Sequence, residues 1–201
     1  MPYLLVAIVA VFALLRLFEP RIKGYLGERA IRRIFVRLPK AEYFALHDVL
    51  LQSEKNTVQI DHILVSKYGI FVIETKNYQG WIFGDEYSKQ WTQSIYRHKS
   101  RFMNPIHQNY GHIQALQKLL ALGNDDFISI IAFSRRCKLK LKHKIDNVIY
   151  FDQLTGIITQ HSFERFPSKK TQEILQKIAD NNIVDHSERR RHIRNVRHKN
   201  A

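Results

Sequence analysis

One cysteine, Cys137, stands in a chain of 201 residues. A lone thiol excludes an intramolecular disulfide and a thiolate metal cluster, and it fits a reducing compartment. Acidic residues are scarce, 18 Asp+Glu against 32 Lys+Arg, which leaves a formal net charge of +14. That excess favours an anionic partner, either nucleic acid or anionic lipid. The eight glycines form no Gly-rich phosphate loop, and GxxxxGK[ST] is absent, which excludes a nucleotide-driven motor within this chain. Serine and cysteine form no nucleophile arrangement. His107, His143 and His186 show no ligand spacing, and no segment repeats.

Long apolar runs are missing too, with one exception at the start, MPYLLVAIVAVFALLRLFEP. Residues 3–15 are unbroken apolar sequence, and Leu17 and Phe18 extend the run past Arg16. This approaches the ~17–25 residues of a transmembrane helix, so a membrane anchor over residues 3–18 is expected. A secretory signal and a core helix are the rival readings. Arg16, Arg21, Lys23 and Arg29 follow the run, and only the terminal amine precedes it. The positive-inside rule then places the remainder in the cytoplasm, as a single-pass protein of the inner (cytoplasmic) membrane.

Beyond the anchor the chain reads as globular, with 45% apolar and 25% charged residues overall. Apolar residues at 22, 26, 30, 34 and 38, widened by Ile31 and Phe35, predict an amphipathic helix that Pro39 ends. Strands are expected over 43–51, 57–66, 70–76, 80–83, 91–95, 127–133 and 148–151, with a polar loop at 84–90. Asn104-Pro105 opens a helix to about 122, and helices follow near 152–161 and 168–182. The polar tail from 185 is expected to be disordered. Positive charge bunches twice. RRCKLKLKHK at 135–144 holds six Lys+Arg and no acid, and residues 189–201 hold another six and no acid.

The hairpin QIDHILVSKYGIFVIETKN, residues 59–77, carries charge inside apolar runs. A loop at 66–69 places Val65 opposite Ile70, Ile63 opposite Val72 and Asp61 opposite Glu74, whereas a bulged turn at Gly69 slips the pairing by one. Facing acids sit ~5 Å apart and repel. Three arrangements offset that: a shared proton, a divalent cation between the acids, or a simple pairing of Lys76 with Glu74 in an exposed hairpin. Alternation turns His62 to the other face, and Trp81 and Phe83 read as core rather than base-stacking residues.

The D-x(12)-E-x-K pattern resembles the signature of the PD-(D/E)xK nuclease superfamily. GYLGE at 24–28, the stretch at 59–80 and NPIHQ at 104–108 together resemble the nuclease-related domain family, over roughly residues 21–135. The resemblance implies a restriction-endonuclease-like α/β fold, a mixed β-sheet flanked by helices, here with an N-terminal transmembrane helix and a basic C-terminal tail. It implies a Mg²⁺- or Mn²⁺-dependent nuclease acting on nucleic acid, DNA foremost. Asp61 and Glu74 match the metal ligands, and Lys76 matches the residue that positions water and steadies phosphate charge. Glu28 matches the carboxylate of the first helix, with a solvated residue beside Arg29 and Arg32 as the alternative. Gln108 matches a helical glutamine of a Q-x-x-x-Y motif, although His112 replaces the tyrosine, and Ile60 replaces the proline before Asp61. Arg135, Arg136, Lys138, Lys140 and Lys142 are expected to hold the nucleic-acid backbone, and the tail to meet either that backbone or anionic lipid. The chain thus divides into an anchor (1–20), a nuclease core (21–135), an α/β extension (136–184) and a tail (185–201). A catalytically inactive module that tethers DNA or RNA to the membrane is the alternative function.

Overall fold

Three antiparallel strands build the framework of the hairpin: β1 (Tyr43–Gln52), β2 (Thr57–Ser66) and β3 (Gly69–Lys76). The computed structural model describes residues 26–53 and 56–199. Val65 pairs with Ile70 and Ile63 with Val72, so the unslipped register holds. The turn is fixed by Ser66, whose Oγ accepts from Tyr68 N–H at 3.1 Å and donates to Gly69 O at 3.1 Å. Gly69 takes φ 140°, and a Cβ there would also meet Ile128 Cδ1 at 2.6 Å, so only glycine fits.

From β3 the chain crosses through β4 (Gly80–Gly84), β5 (Gln90–Ile95), β6 (His98–Met103) and helix α2 (Pro105–Leu120) before returning as β7 (Phe127–Phe133), parallel to β3. β8 (Cys137–Leu141) and β9 (Val148–Tyr150) follow. Instead of one mixed sheet there are two, ordered β1-β2-β3-β7-β9 and β6-β5-β4-β8. β7 is nearly all apolar because both its faces are covered. Ile130 and Ala132 join a cluster with Ile31, Phe35 and Phe71, while Ile131 and Phe133 pack with Ile82 and Trp91. The first of these clusters rests on helix α1, whose described part covers residues 26–35. The helix buries Ile31 and Phe35 and leaves Leu26 exposed, a face rotated from the expected i+4 stripe.

Helix α2 starts where Asn104-Pro105 indicates. Asn104 Oδ1 accepts from Ile106 N–H, and its amide donates to the carbonyls of Asp85, Glu86 and Ser88, which ties the helix start to the β4–β5 loop. Ala121 ends it in the left-handed region. α3 (Leu154–Gln160) and α4 (Ser168–Asp180) lie where helical segments are expected.

The tail differs from its expectation, because His186–Lys199 forms helix α5. Asp185 accepts from the N–H groups of Ser187 and Glu188, and Arg189 reaches Asp48 at 2.8 Å, so a cap and a long-range ion pair supply what composition lacks. β6 and β8 were likewise unforeseen. The apolar run at residues 3–18 lies outside the described residues, and among these no helix is long and apolar enough to cross a membrane.

His62 points away from Asp61, as alternation requires, and its Nδ1 shares a proton with His47 Nδ1 at 2.8 Å beside Phe35. Burial holds His47 at about 4 and His62 at about 3, both below their usual value. The unfolded chain therefore binds more protons below pH ~6.5. The pair's contribution is complete above that pH and is lost as pH falls toward 4, with a slope of up to ~1.4 kcal/mol per pH unit for each proton. Thermal melts from pH 7 to 4.5 should show a steeper loss in the wild type than in a His47→Phe/His62→Phe variant. Equal slopes would contradict this assignment.

Candidate active site

The C-terminal end of β3 carries the charge that the hairpin pattern singles out. Glu74 is only 2% exposed, and its Oε1 accepts from Lys76 Nζ at 2.6 Å, with Lys76 itself 13% exposed. Alternation makes this pair, since residues i and i+2 share a strand face ~7 Å apart. The buried pair removes the exposed-hairpin reading. Lys76 Nζ also donates to Gln108 Oε1 at 3.0 Å, so α2 sets the direction of the ammonium group. Burial opposes the charge on Lys76, but Glu74, Tyr78 and Asp61 outweigh it and hold the ammonium above its ordinary value.

Asp61 enters from β2. The β2–β3 ladder stops at His62–Ile73, and the Asp61 carboxylate takes over by accepting from Thr75 N–H at 2.9 Å. Burial and the charge of Glu74 push the Asp61 carboxyl well above the usual range, against the opposing pull of Lys76 and the Thr75 amide. The two acids thus share one electrostatic site across the hairpin. Glu74 Oε2 is buried without a hydrogen-bond partner, and so is His112 Nδ1, 3.6 Å away. Burial lowers the pKa of His112, which favours a neutral ring.

Glu28 comes in on α1. Its own pKa is raised by burial, by Asp48 and by Glu74, with Arg32 opposing, which puts it within electrostatic reach of the site. The GYLGE motif explains its placement. A Cβ at Gly27 would stand 2.7 Å from Asn77 Cβ and 3.4 Å from Thr75 Cγ2, so glycine lets α1 touch the end of β3. Gly27→Ala should push that helix turn off the strand. The expected result is a stability loss of ~1–3 kcal/mol, measured by urea unfolding. An unchanged midpoint would contradict the close approach.

Asp48 is the residue that pattern reading missed. It stands between the paired positions His47–His62 and Val49–Ile60, level with Asp61 on the neighbouring strand, at φ 55°. Gln59 donates to its Oδ1 and Arg189 to its Oδ2. Asn109 was missed too; it bonds Val72 O and Ser129 Oγ, both at 2.8 Å, and so pins α2 to β3 and β7. The signal available for Asp48 was an acid inside an otherwise apolar strand.

The basic stretch follows directly on Ser134, whose N–H donates to Lys76 O at 3.1 Å, and its side chains divide among several partners. Arg135 forms a two-pronged pair with Asp152 and lies 4.1 Å over the Tyr150 ring. Arg136 donates to Gln79 Oε1, and Lys142 pairs with Asp85 at 2.6 Å. Lys138 and Lys140 are exposed on β8, on the second sheet. Among the described residues no group of three or more His, Cys, Asp or Glu side chains gathers at metal-ligand distance.

An acid–lysine pair on a central strand, a second acid across the hairpin and a glutamine from the flanking helix define a nuclease-related protein. The nuclease-related domain model matches residues 23–134, more than half of the chain, and the chain belongs to that family and so to the PD-(D/E)xK superfamily. A Bacillus anthracis protein described as uncharacterized is 35% identical over 202 residues, covering 98% of this chain and 95% of its own length. No solved structure matches the chain.

Proposed function

We propose that this protein is a metal-dependent nuclease that hydrolyses phosphodiester bonds of nucleic acid, with DNA as the first substrate to test. One observation carries the reading: Glu74 presents a buried Oε2 that makes no hydrogen bond while its other oxygen holds Lys76. The donors are carboxylate oxygens, which suit a hard cation, and Mg²⁺ binds through one or two carboxylates while keeping its waters. Asp61 and Glu74 would hold Mg²⁺ or Mn²⁺, with Glu28 as the reserve acid on α1. The bound cation supplies Lewis acidity at a phosphodiester oxygen.

The remaining steps belong to the side chains. The Lys76 ammonium, fixed between Glu74 and Gln108, offers positive charge to the phosphate as negative charge builds on its oxygens. His112, buried beside Glu74, keeps a neutral ring there. The half-exposed Glu28 and Asp48 border the site.

The full-length chain, purified in mild detergent, should cut plasmid or linear DNA with Mg²⁺ or Mn²⁺ and stop with EDTA. DNA that is bound but never cut in any metal would instead identify a non-cleaving module that tethers nucleic acid. Residues 3–18 support an inner-membrane anchor with the catalytic part on the cytoplasmic side. Recovery of the chain in the membrane fraction, lost when residues 1–20 are removed, tests that placement. Anionic-vesicle flotation that weakens when residues 186–201 are removed would assign α5 to lipid.

A further inference from the structure

Outward side chains of the second sheet form a surface that the cleavage site does not use. Trp81 and Phe83 on β4 are 54% and 39% exposed, with ring centroids 6.3 Å apart, which corrects their reading as core. Strand pairing sets Lys138 and Lys140 of β8 beside them on one flank. Lys140 Nζ lies 5.6 Å from the Trp81 ring centroid, which fixes both on the same face. On the other flank, β5 presents Ser94 and Thr92, and beyond them β6 presents Lys99 and Arg101. No Asp or Glu stands at an outward position of these four strands. An open hollow of about 490 Å³, lined by Trp81, Ser94 and Tyr96, lies beside the Trp81 ring. The opposite face of the sheet is closed, with Ile82 and Trp91 fully buried.

Two neighbouring exposed rings flanked by cations on both sides are costly as a plain solvent surface, because exposed apolar area and clustered like charge both carry a penalty. They match what a single strand requires. Unpaired bases stack on aromatic faces while the backbone runs along positive charge. A duplex hides its base faces and would leave Trp81 and Phe83 unused. From Lys76 to Trp81 the chain spans at most ~18 Å, so this face and the catalytic end of β3 lie within reach of one short strand.

We infer that the outer face of the β6-β5-β4-β8 sheet is a binding platform for single-stranded nucleic acid, with Trp81 and Phe83 stacking bases and Lys138, Lys140, Lys99 and Arg101 holding phosphates. The inference deepens the nuclease reading and rests on it for the ligand class. It assigns the scissile strand a melted stretch beside the site.

The experiment uses the full-length chain in EDTA, so that the probe stays intact, with a fluorescein-labelled oligothymidylate and a duplex of equal length. Intrinsic fluorescence reports the platform directly, because the chain has two tryptophans and Trp91 is fully buried. The oligothymidylate should quench Trp81 and bind more tightly than the duplex. Trp81→Ala and Phe83→Ala should each weaken single-strand binding by ~10-fold with no change in melting temperature, while Trp81→Tyr retains most of it. Lys138→Ala/Lys140→Ala should lower the salt dependence of binding. Wild-type affinity in the Trp81→Ala/Phe83→Ala variant overturns the platform, as does a preference for duplex that depends on the lysines alone. Cleavage with Mg²⁺ is scored separately. A platform that binds without cleavage removes the nuclease reading and keeps this one, and cleavage that ignores the rings does the reverse.

Discussion

Glu74→Gln should abolish metal-dependent cleavage, with a loss of ~10³-fold or more, while the protein stays folded. Several kcal/mol of transition-state stabilisation by a bound cation convert to that factor. The substitution keeps an oxygen that can still accept from Lys76 Nζ and removes the charge that repels Asp61 across the hairpin. It also deprives the buried Lys76 ammonium of its principal counter-charge, so in EDTA the melting temperature should lie below that of the wild type. Added Mg²⁺ or Mn²⁺ should raise the melting temperature of the wild type through binding to the native state, and leave Glu74→Gln unmoved. A Glu74→Gln protein that cuts DNA at the wild-type rate would remove Glu74 from the chemistry. Identical metal-induced shifts in the two proteins would remove it from metal binding.

Lys76→Met should cost both activity and stability. Methionine keeps the length of the stem and deletes the ammonium group, so the loss reports charge. Glu74 is then left as a buried carboxylate without its partner, a situation that costs ~3–5 kcal/mol. For a chain of this size that is a fall of roughly 6–20 °C in melting temperature. Cleavage should fall ~10²–10³-fold, the usual cost of removing one preorganised electrostatic contact. Gln108→Ala releases the same ammonium without deleting it and should give a milder version of the activity loss alone. A Lys76→Met protein with wild-type melting and cleavage would contradict the role given to the pair.

The hairpin was legible from sequence because one register matches two apolar pairs, Val65 with Ile70 and Ile63 with Val72, and the structure adopts it over the register slipped by one. Once that register is set, the meeting of Asp61 with Glu74 and Lys76 follows from alternation. Helix α2 was legible through Asn104-Pro105, a cap and first-turn residue whose local chemistry needs no tertiary partner. β6 was not, because HKSRFM is an exposed polar edge strand with only Phe102 turned inward. β8 hid behind its charge: Cys137, Leu139 and Leu141 alternate with Lys138 and Lys140, a period of two that the lysine count obscured. α5 depends on Arg189 reaching Asp48, far back in the chain, and no local pattern reports such a contact. Trp81 and Phe83 illustrate the same limit, since alternation says they share a face and only the second sheet says which face meets solvent.

The matched family segment ends at residue 134, yet the edges of both sheets are finished by chain beyond it. β8 adds to β4, β9 adds to β7, and Asn182 and Ile183 hydrogen-bond Leu50 on the outer rim of β1. A fragment trimmed to the family boundary would expose three raw seams of unpaired amide and carbonyl groups, which invite self-association. The smallest autonomous unit is therefore longer than the matched family segment, and the C-terminal third serves the framework as its hem.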